Sequence, residues 1–155
     1  IPAFFFDATK VGRTISLLAR GVFSNTGTPT LIFQVRSATT SGTGVGGTSI
    51  GVSAAITTAS GITNKWWELR LDLTCYTPGI GSGNTTLSGA GYVASPGGFA
   101  SPFIYALEPT TPDTATWTAT IDNSSTQYIN ISETWSAASA SNTTTLKTLL
   151  LWGWN

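Results

Sequence analysis

Apolar and polar positions alternate with a period of two along most of the chain, and clusters of Gly, Pro, Asn and Ser interrupt the alternation at short spacing. Antiparallel strands with one buried face read this way. From Arg13 to Phe23, Ile15, Leu17, Ala19 and Phe23 fall on one face and Thr14, Ser16 and Arg20 on the other, and Ser24-Asn25-Thr26-Gly27 supplies a turn. Thr30 to Arg36 points Leu31, Phe33 and Val35 inward, and Val52, Ala54 and Ile56 form a weaker strand. The strongest alternation runs from Lys65 to Tyr76. It sets Trp67, Leu69, Leu71, Leu73 and Cys75 against Trp66, Glu68, Arg70, Asp72 and Thr74, the first set being the predicted core. A Gly-softened strand that bulges or lies against other backbone follows from Leu87 to Ala94, then strands over Phe103 to Leu107, Ala115 to Ile121, Gln127 to Trp135 and Thr143 to Trp154.

Ser37 to Thr48 is almost wholly Ser, Thr and Gly, too poor in apolar groups to order itself, and is predicted to be a flexible surface loop. About eight strands, with both short and long connections and no sustained repeat, predict an all-β fold: an antiparallel two-sheet β-sandwich, jelly-roll-like. Residues 1–12 are read as an N-terminal arm or edge segment and 13–155 as one sandwich domain, a normal size for a single core.

Composition sharpens the functional reading. Only 9% of the 155 residues are charged, and seven basic residues cancel seven acidic ones. No positive field is available for nucleic acid or an anionic membrane, and no apolar run is long enough to span a bilayer as a helix. A neutral chain also lacks the self-repulsion that keeps copies apart. Cys75 is the single cysteine, so no internal disulfide forms. Without histidine, the common triads and zinc sites have no base or ligand.

The acids, Asp7, Glu68, Asp72, Glu108, Asp113, Asp122 and Glu133, are scattered. Glu68 and Asp72 share a strand face with Arg70 between them, a solvated charge row rather than a glycosidase pair. Gly44-Val45-Gly46-Gly47 and Gly79-Ile80-Gly81-Ser82-Gly83 lack the helix and lysine of a phosphate cradle. Asp113 and Asp122 lack the ligand spacing of a calcium loop. Catalytic residues, cofactor and metal are accordingly expected to be absent.

The aromatic residues carry the remaining signal. Trp67, Trp117 and Trp135 fall on apolar registers and are expected in the core. Three adjacent phenylalanines cannot all point inward from one strand, so at least one is expected to meet a neighbour. Phe4, Phe5, Phe6, Trp66, Trp152 and Trp154 are therefore the candidates for a subunit interface or a glycan platform.

The order of several segments resembles a group of tailed-bacteriophage and prophage virion structural proteins. These are Val11-Gly12-Arg13-Thr14-Ile15, Phe23 through Leu31, Ser60-Gly61-Ile62-Thr63-Asn64 before Trp66-Trp67-Glu68, and Ser139-Ala140-Ser141-Asn142-Thr143-Thr144 before the terminal strand. The resemblance implies a non-enzymatic, jelly-roll-like capsid decoration, head-fibre or tail-associated protein on the particle surface. It further implies a homotrimer attached to a major capsid or other virion protein. The alternative is a carbohydrate-binding β-sandwich module of a secreted or surface protein, using Trp66, Trp152 and Trp154 on a surface glycan.

Overall fold

The computed structural model describes residues 1–7, 9–42, 46–79, 84–109 and 118–154. They form ten strands: β1 (Thr14–Ser24), β2 (Thr30–Ala38), β3 (Thr48–Ser53), β4 (Ile56–Thr57), β5 (Lys65–Thr77), β6 (Asn84–Ala94), β7 (Ile104–Glu108), β8 (Thr118–Asp122), β9 (Tyr128–Trp135) and β10 (Thr143–Trp154). All pairings are antiparallel.

The hydrogen-bonded order is β10-β1-β5-β6-β7-β3-β2, with β4 and β9 both on β2 and β8 on β6. The expected separation into two sheets is not what joins these strands. β7 pairs with the second half of β6 through Ile104 to Leu107 and with β3 through Leu107 and Glu108, linking the walls into one curled sheet, a half-barrel. β8 takes the first half of β6, so the two strands share one long edge.

The curl encloses the core. Trp67 on β5 and Phe33 on β2 lie four strands apart along the sheet, yet their rings meet at 4.9 Å between centroids. Phe99 bridges Phe23 and Phe33 at 5.6 and 6.5 Å. β1 and β5 pair in the register that puts Ile15 opposite Leu73, Leu17 opposite Leu71 and Ala19 opposite Leu69, with all six side chains buried. Gly21 completes this face: a Cβ there would stand 2.1 Å from the Thr145 carbonyl oxygen and 2.7 Å from the Trp67 ring. On β6, Gly89 and Gly91 lie against the backbone of Asp72 and Arg70, the close approach expected of that strand.

Three expectations need correction. Ser37 and Ala38 belong to β2 and are buried, because the Ser37 hydroxyl donates to Gln127 Oε1 at 2.7 Å and so pays for its desolvation. Thr48 likewise opens β3, so the loop is shorter than its composition suggests; residues 43–45 within it lie outside the described residues. In the Val52, Ala54, Ile56 face, Ala54 is exposed. β3 ends at Ser53, and Ile50 and Ile56 supply the burial instead. Trp117 and Asp113 lie outside the described residues.

Residues 1–7 are tied to the turn before β9. Ile1 and Gln127 exchange backbone bonds of 2.7 and 2.8 Å, and Phe4 N donates to the Asn123 carbonyl at 2.8 Å. The buried Asn123 side chain clamps Phe6 by accepting from its N–H and donating to its carbonyl, both at 3.1 Å.

Candidate functional site

The polar face of β5 carries the charge row that alternation predicts. Arg20 Nε meets Glu68 Oε2 at 2.7 Å, the Tyr92 hydroxyl donates to Glu68 Oε1 at 2.8 Å, and Arg70 Nε meets Asp72 Oδ2 at 3.2 Å. The Tyr92 hydroxyl, and then Arg20, hold the Glu68 carboxyl below its ordinary range, and the same bond raises the Tyr92 phenol. Each carboxylate thus has its partner in a surface row, an arrangement suited to registering β1, β5 and β6. Among the described residues no three of Cys, Asp and Glu gather as a metal-binding group. Burial pushes the Cys75 thiol up, which keeps it protonated on the inner face of β5.

A cleft lies between Ser37, Thr48, Asp122 and Gln127, but the polar groups of Asp122 and Gln127 are used internally. Gln127 Nε2 donates to the Asp122 carbonyl at 2.6 Å, and the Asp122 carboxylate accepts from Ser124 N and Oγ at 2.8 and 2.6 Å. Asn25 does similar work elsewhere. Its side chain donates to Thr58 Oγ1 and the Ala59 carbonyl and accepts from Ile62 N. The sequence reading missed Asn25, Asn123 and Gln127, because their burial follows from which turns the fold brings together.

The aromatic candidates separate in space. Phe6 is fully buried in the core and is not a surface residue; Phe5 is half-buried and packs edge-on against it at 4.8 Å. Phe4, with a left-handed φ of 57°, is the exposed member of the three. Trp66 is 49% exposed but sits opposite Val22, whereas Trp152 and Trp154 sit opposite Ser16 and Thr14. Six residues of β1 between Ser16 and Val22 correspond to about 20 Å. The three tryptophans therefore form no common platform. Trp152 and Trp154 do meet, at 6.5 Å between centroids, with their planes crossing at 79°.

What the structure gathers instead is β10. Ten of its twelve residues are exposed. Leu149 and Leu151 lie opposite Ala19 and Leu17 on the core-facing side of the sheet, yet remain 43% and 40% exposed, while Leu150 and Trp154 are exposed on the other side. Among the described residues β10 pairs only with β1, and β9 lies along β2 on the side opposite β3 and β4, so these strands are the two ends of the curl. The N-terminal segment reaches β10 at one point, where Ile1 and Phe5 line a cavity of about 150 Å³ with Ile15, Leu151 and Gly153. On β9, Ile129, Ile131, Glu133 and Trp135 face inward opposite Ser37, Val35, Phe33 and Leu31. Desolvation there raises the Glu133 carboxyl, although the residue stays accessible to solvent.

Comparison with protein-family models, curated proteins and solved structures returns no match.

Proposed function

We propose that this chain is a non-enzymatic structural protein of a bacteriophage virion, a capsid decoration, head-fibre or tail-associated part that works as a homotrimer through subunit contacts. The observation that carries the assembly half of this reading is β10, a twelve-residue edge strand whose leucines are exposed on both faces and whose Trp154 is exposed on the outer one. Natural sheets shorten, charge or cover such an edge when it faces solvent, and this one carries a single charge, Lys147, and no proline. The virion half rests on the resemblance of segment order from Val11 through Thr144. The polar surface fits it: the ion pairs and hydroxyls of β5, β1 and β6 are matched to one another across the ladder.

The test is to purify particles of the phage or prophage whose genome encodes the chain and to image them by cryo-electron microscopy. Density for a β-rich subunit on capsid or tail, with the chain co-purifying at stoichiometric amount, is the expected result. Its recovery only as free protein in the lysate would contradict the reading.

A further inference from the structure

We infer that β10 of one copy adds to β9 of a second copy, so that neighbouring subunits share one continuous antiparallel sheet. This deepens the assembly half of the proposed function and rests on it. β10 is one end of the curled sheet, and β9, on the side of β2 opposite β3 and β4, is the other. Because each step between them in the ladder reverses direction, the two ends run antiparallel, and a rotation about an axis along the strands brings one against the other in a head-to-tail contact. Such a contact closes into a trimeric ring where the rotation between neighbours is a third of a turn.

The phase of the hydrogen bonds agrees. Cys75 N donates to the Arg13 carbonyl, which turns the odd residues of β1 toward β5 and the even ones toward β10. On β10, Trp152, Leu150 and Thr148 then bond to β1, and the N–H and C=O of Leu149 and Leu151 point away from the sheet. On β9, the bond from Ser136 N to the Thr30 carbonyl and the Ile1–Gln127 exchange set the even residues toward β2 and leave Ile129, Ile131 and Glu133 pointing outward.

One register satisfies pattern and charge together. Placing Leu149 opposite Ile131 puts Leu151 opposite Ile129, with all four on the core side and all four presenting free backbone groups. It puts Trp152 opposite Tyr128 on the outer side, where Tyr128 is exposed. It also sets Lys147, the extra residue of the β10 bulge, opposite Glu133. Neither has an ion-pair partner among the described residues, and opposite charges across a ladder stabilise it. Ile1 occupies the free edge at Gln127, and Ile1 and Phe5 of each copy also line the cavity beside its own Leu151 and Gly153, so the shared ladder ends at the Leu151–Ile129 pair. The exposed side chains of Leu146, Leu149, Leu150, Leu151 and Trp154 amount to roughly 500 Å², against the roughly 800 Å² per partner of a standard interface, and Tyr128, Ile129 and Ile131 answer them on the other copy.

Leu150 and Asn130 are opposite in this register at a site where no ladder bond intervenes, the closest spacing for side chains. Two full-length proteins, both Cys75→Ala, one with Leu150→Cys and the other with Asn130→Cys, are mixed and mildly oxidised. A disulfide-linked species at twice the chain mass, at least tenfold more abundant in the mixture than with either protein alone, is expected. A dimer from the Leu150→Cys protein alone would mean that β10 pairs with β10, and would overturn the inference. An internal disulfide in a chain carrying both cysteines, without the mixed dimer, would mean that the two ends close within one copy, and would also overturn it. Light scattering separates this failure from that of the wider reading. A multimeric mass without the mixed cross-link leaves assembly standing and removes the β10–β9 contact, whereas 16.1 kDa at every concentration removes both. Leu149→Lys, folded by circular dichroism, is expected to reduce the multimer to single chains; a multimer that survives it counts against the contact.

Discussion

β5 and β10 flank β1, one on each side, both antiparallel and of nearly equal length. In β5 every second side chain from Trp67 to Cys75 is buried and those between face solvent or the charge row. In β10 the run Leu149-Leu150-Leu151-Trp152 does not alternate, and its leucines are exposed on both sides. A strand in the middle of an antiparallel sheet with one wet face can be read by alternation alone. An edge strand with no polar face reads as one whose second neighbour comes from elsewhere. The same β1 face is sealed where β5 covers it and open where β10 extends it.

The sharpest probe of that contrast is the adjacent pair Trp66 and Trp67. Trp67 is 1% exposed, packed on Phe33 and over Gly21, so Trp67→Ala is expected to cost about 3–5 kcal/mol in chemical denaturation through lost transfer energy and a cavity. Trp66→Ala, on the outer face, is expected to cost under about 1 kcal/mol. Equal losses would mean that β5 is not the one-faced strand described here and that the comparison with β10 fails.

Much of the fold was legible because period-two burial is a local signal. The inward sets of Thr30–Ala38 and Lys65–Thr77 follow directly from it. What escaped was non-local. Nothing in Ile104 to Glu108 says that it will bond to β6 and β3 together and turn two walls into one curled sheet. Nothing in Ser37 says that Gln127, ninety residues away, will satisfy its hydroxyl. The candidate site was half legible: Trp152 and Trp154 stand out as aromatic residues, but Leu146, Leu149, Leu150 and Leu151 carry no such signal, because leucines in a strand are usually buried and nothing in the residue types says that these are not. Phe6 was misplaced for a related reason. The left-handed Phe4 lets the three phenylalanines diverge, a turn the residue types do not announce.

The smallest expected effect concerns two carboxylates of opposite behaviour, one on each type of strand. Glu68, held low by Tyr92 and Arg20 beside β5, contributes stability that is present above its ordinary value of 4.5 and lost as pH falls below it through the lower folded value. Tyr92→Phe is expected to flatten that acid loss by under about 1 kcal/mol in stability measured across pH 3–6. Glu133, raised by desolvation on the edge strand β9, works the other way: the folded single chain loses stability as pH rises from 4.5 through the raised value. Glu133→Gln is expected to remove that trend. An acid loss unchanged by Tyr92→Phe would remove the Glu68 cluster as its source.

The central claim, that β10 is an edge completed by another copy, is tested most directly by amide hydrogen exchange followed by NMR across a dilution series. The amides of Leu69 and Leu71 on β5 are expected to stay protected throughout. Those of Leu149 and Leu151 are expected to be protected at high concentration and to exchange rapidly once light scattering shows single chains of 16.1 kDa. Protection of Leu149 and Leu151 that persists unchanged in single chains, or that is missing at every concentration, would contradict the account.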